Sequence, residues 1–271
     1  MSNETPKGAA LITGASTGIG AVYAERLAHR GHDLILAARD AGRLEALATR
    51  LRAETGVKVE VVRTDLTDKA DVVRLEQRLL TDGAISVLIN NAGANVAGRF
   101  ATVDADALDD LIQLNVTAVT RLAHAAAKAF VKAGRGTIVN LGSVVALVPE
   151  YGAAVYGATK AYVLYLSQAL DHELRGSGVR VQAVLPGATR TEIWDRSGAG
   201  TAALDPARIM DVGELVDGAL AGLDQGEVVS IISLLDPTEW DTYQAARVAM
   251  SPNFSNAHPA PRYGIRVAEP A

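Results

Sequence analysis

Short apolar runs recur along this chain, and between them apolar residues return every three or four positions. Ala9 to Thr13, Asp33 to Ala38, Val57 to Arg63, Ser86 to Ile89, Thr137 to Leu141, Val179 to Leu185 and Val228 to Ile232 read as buried strands. The segments Ala21 to Arg30, Asp40 to Glu54, Asp68 through Leu80, Asp106 to Val131, Tyr156 to about Leu174 and Asp211 to Leu223 read as helices. Strand and helix alternate, so the strands are expected to lie parallel in one sheet. Glu192 to Pro206 breaks the pattern and is rich in Ala and Gly, which suits a mobile substrate lid. The last segment, Asp236 to Ala271, reads as a helix followed by a Pro-containing tail and carries no assignable motif.

Composition narrows the class. The 271 residues suit one large α/β domain; 49% are hydrophobic and 21% charged, and the formal net charge is −5. Nothing in that balance calls for a nucleic-acid or anionic-membrane partner. With no cysteine, disulfides, thiol nucleophiles and thiolate metal sites are excluded. The five histidines lack the spacing of a ligand set, so no metal is expected. The amino-terminal MSNETPKG has no hydrophobic signal core and no apolar run is long enough to span a bilayer, so the expected location is the cytoplasm.

The chemistry-bearing residues sit where predicted strands end. Ala9 to Thr13 runs into TGASTGIG, whose Gly14, Gly18 and Gly20 let backbone approach a pyrophosphate at the positive end of the following helix. A plain helix-packing turn is the other reading of such a loop. Asp65 and Leu66 follow the third strand in RTDLTD, and Asp68 is the better cap for the next helix. The fourth strand ends in Asn90, Asn91, Ala92 and Gly93. Asn115 interrupts a long helix and is either a satisfied polar residue or a holder of water, because an unpaired buried amide is costly. Ser143 stands where the fifth strand gives out. Tyr156 and Lys160 are four apart and share a helical face, so the ammonium is expected to favour the phenolate and lower the Tyr pKa toward neutrality. Pro186 and Gly187 stop the sixth strand.

Together, G-x-x-x-G-x-G, NNAG, Asn115, Ser143, Tyr156-x-x-x-Lys160 and PGATRT resemble the motifs of the classical short-chain dehydrogenases/reductases, in the family's order from about Ala9 to Leu235. The resemblance implies a single doubly wound Rossmann-type domain, a central parallel sheet with helices on both faces, and a dinucleotide across the carboxyl ends of the strands. It implies NAD(P)-dependent interconversion of a carbonyl and a secondary alcohol. In that chemistry Tyr156 moves the proton, Ser143 orients the substrate oxygen, Lys160 holds the ribose and lowers the Tyr pKa, and Asn115 holds a water in the proton relay. Gly14, Ser16, Thr17, Gly18, Ile19, Gly20, Asp65, Leu66, Asn91, Ala92, Gly93, Tyr156, Lys160, Pro186, Gly187, Thr189 and Thr191 are the implied cofactor contacts. Asp65 would bond the adenine; backbone at Thr189 and the Thr191 hydroxyl would contact the carboxamide, and Thr191 could also cap a helix. A catalytically silent relative would usually have lost the Tyr or the Lys. An epimerase or dehydratase of the extended branch typically has a larger carboxyl-terminal domain and another glycine spacing.

Cofactor choice turns on the end of the second strand. NAD-preferring relatives usually place an acid there; that position is Ala38 and Arg39 follows, which favours NADP through the 2′-phosphate. Asp40 folding back as a ribose acid, or Arg39 as a solvated charge, are the competing readings, and NAD stays possible. The expected pocket lining, Ala94, Asn95, Val144, Val145, Tyr151 and the lid, is mostly apolar or neutral and suits an uncharged ketone, aldehyde or alcohol. Tyr162, Val163, Leu166, Ala169 and Leu170 add apolar surface to the Tyr156 helix, which suggests a homodimer or homotetramer.

Overall fold

The computed structural model describes residues 7–193 and 205–265. The chain divides into two compact units, Met1–Ser233 and Leu234–Ala271. The first holds seven parallel strands: β1 (Ala9–Thr13), β2 (Asp33–Ala38), β3 (Val59–Arg63), β4 (Ile85–Asn90), β5 (Gly136–Leu141), β6 (Val179–Val184) and β7 (Val229–Ser230). Their order is β3-β2-β1-β4-β5-β6-β7, the doubly wound arrangement.

Both faces of this sheet are covered, which is why its central strands are mostly apolar rather than alternating. Successive residues point to opposite faces. Ala10 and Ile12 of β1 join Leu34 and Leu36 of β2 in one core with the helices α1 (Gly18–His29) and α2 (Ala41–Thr55). Ala9, Leu11, Ile35 and Ala37 enter the other core with α3 (Lys69–Thr81) and α5 (Val119–Ala133). The helices α4 (Ala105–Ile112), α6 (Ala154–Glu173) and α7 (Val212–Gln225) complete this unit's described helices. The chain's order reverses between β1 and β4, the switch point at which a doubly wound sheet has its ligand crevice, outside the carboxyl ends of the strands.

Helix starts follow local chemistry: Asp40, Asp68, Asp104 and Asp211 each accept a hydrogen bond from an amide of the first turn. Several boundaries depart from the periodicity: β3 begins at Val59 rather than Val57, and β7 spans only Val229–Ser230 rather than Val228 to Ile232. α1 begins at Gly18, inside the glycine motif, three residues before the expected Ala21. The long helix expected from Asp106 to Val131 is broken into α4, a π-helical segment Gln113–Ala118 and α5.

Polar side chains cross the middle of the sheet. Asn90 Nδ2 donates to Asn140 Oδ1 at 2.9 Å, Asn140 Nδ2 donates to Ser167 Oγ at 3.0 Å, and Ser167 donates to the Val163 carbonyl at 2.7 Å. All three polar side chains are buried. Asn140→Leu is therefore expected to cost about 1–3 kcal/mol, because the buried Asn90 amide keeps only a long 3.4 Å bond to the Val119 carbonyl and the Ser167 oxygen loses the donor it accepts from. Urea unfolding should show a lower midpoint at unchanged slope.

In the second unit α8 (Pro237–Met250) is capped by Asp236, which accepts from the Thr238 amide, and Trp240 stacks on Tyr243 with ring centroids 5.5 Å apart. Two 3₁₀ turns follow, Ser251–Asn253 and Pro261–Tyr263.

Candidate active site

The glycine loop is shaped by what lies against it. Gly14 and Gly18 have φ of 65° and 58°, in the left-handed region that favours glycine. A Cβ on Gly20 would sit 2.4 Å from the Gly14 carbonyl oxygen and 2.5 Å from Asn91 Nδ2, so no other residue fits there. Asn91 explains the closeness: its amide donates to the carbonyls of Thr13 at 2.9 Å and Gly14 at 3.2 Å. Thr13 Oγ1 in turn accepts from the backbone N–H of Asn91 and of Ala92, each at 3.0 Å. The NNAG turn thus ties β4 to the glycine loop, and the Asn91 side chain is committed to that tie.

Across the crevice, Thr191 faces the loop: a Cβ on Gly18 would lie 3.4 Å from its Cγ2. The cradle between glycine backbone, the amino end of α1 and Thr191 fits a pyrophosphate, since bare amides and the helix dipole both favour an anion there. Thr189 is buried, with its hydroxyl donating to the Gly187 carbonyl at 3.1 Å. Of the expected lid, positions 194–204 lie outside the described residues.

At the outer end of the crevice Arg39 is exposed, one residue past β2. Asp40 caps α2 by accepting from the Arg43 amide at 3.0 Å, which engages the carboxylate that could otherwise have turned back toward a ribose. Arg43, in the first turn of α2, donates from one guanidinium nitrogen to both carboxylate oxygens of Glu192, at 2.9 and 3.0 Å. Asp65 Oδ1 accepts from the Thr67 amide and hydroxyl, closing a turn, while its backbone N–H donates to Asp71 at 2.7 Å. That N–H, with the Arg74 guanidinium, holds the Asp71 carboxyl below its usual range. Asp68 caps α3 as expected, and Leu66 is buried.

Ser143, Tyr156, Lys160 and Asn115 converge at the inner end. Ser143 leaves β5 in extended conformation, caps the 3₁₀ turn Val144–Leu147 by accepting from Val145 N–H at 3.3 Å, donates to the Pro186 carbonyl at 3.5 Å, and lies beside the Tyr156 phenol. Tyr156 is the third residue of α6, which starts after Ala153 at φ 54°, a left-handed conformation disfavoured for a side chain with a Cβ. Lys160 Nζ donates to the Leu141 carbonyl at 2.8 Å and lies 5.7 Å from the Tyr156 ring centroid. Asn115 sits in the π-helical segment, accepts from Ala94 N–H at 3.0 Å, and donates to the Ala94 carbonyl at 3.0 Å and Thr159 Oγ1 at 3.1 Å. A Cβ on Gly93 would lie 3.3 Å from Asn115 Oδ1 and 3.4 Å from Lys160 Nζ, so this glycine leaves room beside both polar groups.

The expected direction of the Tyr156 pKa is corrected. Burial pushes the phenol above its ordinary value, against a smaller lowering by the Ser143 hydrogen bond. Burial also lowers Lys160 to about 8, because the ammonium has lost its water. An unfolded Lys stays protonated to near 10.5. Between pH 8 and 10 the unfolded chain then binds more protons at this site, so its contribution to stability rises with pH. Wild type should gain on Lys160→Met by on the order of 1–3 kcal/mol from pH 7 to 10, read from urea midpoints.

Sequence reasoning missed Thr13, Thr159, Asn140 and the Arg43–Glu192 pair. Only Arg43 left a local signal, its place in the first turn of α2 close after Arg39.

A family model described as short chain dehydrogenase matches residues 8–201. Sulfoacetaldehyde reductase of Chromohalobacter salexigens is 38% identical over 200 residues, covering 72% of this chain and 78% of that protein. Among solved structures, a short-chain dehydrogenase from Sphingobium yanoikuyae in complex with NADPH superposes with a TM-score of 0.92 at 53% identity, covering 94% of this chain and all of that one. The bulky-bulky ketone specific alcohol dehydrogenase from Comamonas testosteroni gives 0.89 at 49% identity, over 96% of this chain and 99% of that one. A matched family model over most of the chain, on a doubly wound sheet carrying the Ser143, Tyr156 and Lys160 constellation, leads to one conclusion: the chain belongs to the short-chain dehydrogenases.

Proposed function

We propose that this oxidoreductase reduces an uncharged ketone or aldehyde to an alcohol, reversibly, with NADP as its preferred cofactor. The observation that carries the reading is the convergence of Ser143, the Tyr156 phenol and the buried Lys160 at the crevice, beside Gly93 and below the glycine cradle. The hydride is supplied by the bound nicotinamide. Tyr156, kept protonated by burial, gives its proton to the substrate oxygen, and Ser143 holds that oxygen by hydrogen bond. Lys160, anchored on the Leu141 carbonyl, presents its remaining N–H donors to the ribose and the phenol. Asn115, fixed by Ala94 and Thr159, keeps the π-helical segment open for a water that would pass protons to Lys160. The 2′-phosphate would meet Arg39.

The substrate class is inferred from the lining that the sequence leads one to expect. Ala94, Asn95, Val144, Val145 and Tyr151 carry no formal charge, and a Cβ on Gly157 would touch Val145 at 3.4 Å, placing Val145 over the first turn of α6 beside Tyr156. The NADPH complex of the Sphingobium protein and the bulky ketones named for the Comamonas enzyme agree with this choice. A panel of neutral ketones and aldehydes set against anionic carbonyls, followed by nicotinamide absorbance, tests it. Turnover confined to anionic carbonyls would remove the neutral-substrate reading.

We also infer a homo-oligomer. The support is narrower than the helical pattern of α6 suggested: Val163 is buried in the chain's own interior and Leu170 packs on a core cluster, leaving Tyr162 and Tyr165 as the large exposed groups. Light scattering at micromolar concentration should give a multiple of the chain mass, and a monomer would overturn the inference.

A further inference from the structure

A second cavity, of about 410 Å³, opens at the opposite edge of the sheet, among the amino ends of β1, β4, β5 and β6 and the carboxyl ends of α1 and α7. Its floor is apolar, with Leu27, Val87 and Leu220 buried, while its rim carries Lys7, Arg30, Arg135 and Arg180 against the single carboxylate of Asp224. Arg30 is paired with Asp224 at 3.0 Å, and Arg180 makes long bonds to the Leu223 carbonyl at 3.5 Å and Thr137 Oγ1 at 3.4 Å. The Arg135 guanidinium and the Lys7 ammonium have no carboxylate partner among the described residues.

Basic residues near helix carboxyl ends often serve only to offset the helix dipole. The magnitudes decide against that as a full account here. The ends of α1, α5 and α7 contribute about half a negative charge each, so about one and a half positive charges stay uncompensated around the cavity. His32, half-buried on the wall with Nδ1 3.2 Å from the Gly8 carbonyl, is held below its ordinary pKa first by burial and then by Lys7 and Arg30, in keeping with that positive field. Gly136 and Gly178 pack too tightly on Phe130 and the Gly134 carbonyl to carry a side chain, so no side chain from them fills the rim.

From this cavity we infer a binding site for a small amphiphilic anion, a phosphate monoester with a compact apolar body, separate from the catalytic crevice. The guanidinium groups of Arg135 and Arg180 take the phosphate oxygens in paired hydrogen bonds, and the apolar body covers the Leu27, Val87 and Leu220 floor. The size lies within the range of small-molecule sites.

The test uses protein saturated with NADP, so that phosphate sites in the crevice are filled. Phenyl phosphate and inorganic phosphate are titrated by calorimetry into wild type and Arg135→Gln/Arg180→Gln, and the His32 imidazole is followed by NMR across pH. Phenyl phosphate should bind one per chain, about tenfold tighter than inorganic phosphate, and about tenfold or more weaker in the double variant, whose turnover stays at the wild-type level. Ligand should raise the His32 pKa, because an anion favours the imidazolium facing Lys7, Arg30 and Asp224. Absence of saturable binding, undiminished affinity in the variant, or an unmoved His32 would overturn the site. Equal affinity for the two phosphates would overturn the role of the apolar floor.

Discussion

Tyr156→Phe is expected to lower kcat for carbonyl reduction by at least about a hundredfold, the usual scale for a positioned acid or base, while leaving fold and cofactor affinity intact. The change removes one oxygen from a ring that keeps its place in the first turn of α6. Lys160 keeps its anchor on the Leu141 carbonyl, and the glycine cradle keeps its tie to Asn91. Cofactor titration by fluorescence should therefore give an unchanged Kd beside the lost turnover. The raised Tyr156 pKa adds a direction. A phenol held protonated by burial donates across the neutral range, whereas alcohol oxidation needs the phenolate and should improve as pH rises toward the folded-state pKa. A Phe variant with near-normal turnover, or an oxidation rate that falls from pH 7 to 9, would show that another group moves the proton.

Arg39→Asp is expected to lower kcat/KM with NADPH by about ten- to a hundredfold while sparing or improving it with NADH, since one charge-assisted contact is worth about 1.5–3 kcal/mol. The local geometry sharpens the expectation. Asp40 is occupied in capping α2, so the wild-type acid next door does not offer a ready-made ribose site; the introduced carboxylate would supply one. Arg43, in the first turn of α2, is already paired with Glu192, so its charge is largely offset and Arg39 would carry the contact to a 2′-phosphate. Comparing both cofactors in wild type and variant checks the assignment. A wild type that prefers NADH, or a ratio unmoved by the substitution, would return Arg39 to the role of a solvated charge.

The amino-acid sequence by itself determined whatever depends on neighbours a few residues apart. Strand and helix periods are local properties of the backbone, so the buried runs of β1, β2 and β5 and the parallel alternation were legible, as was the aspartate that caps α3. So was the candidate site, because its groups lie in short motifs at strand ends, where the doubly wound topology gathers them at one edge. The family resemblance carried the roles of those groups; periodicity alone would have left Asn115 as an awkward helix residue and Gly20 as a turn.

Tertiary structure decided what depends on distant partners and on the loss of water. Asn91 closes on Gly14 across 77 positions, Asn90 finds Asn140 across 50, and Arg43 meets Glu192 across 149; no periodicity encodes such pairings, because the sheet order chooses them. The break of the long helix into a π-helical segment at Asn115 also belongs here, since its amide is satisfied by Ala94 and Thr159 rather than by its own helix. The sign of the Tyr156 shift is the clearest case. Spacing alone set an ammonium beside a phenol and pointed to a lowered pKa, but desolvation acts on both groups at once, raising the phenol and lowering the ammonium, and burial is a property of the assembled fold.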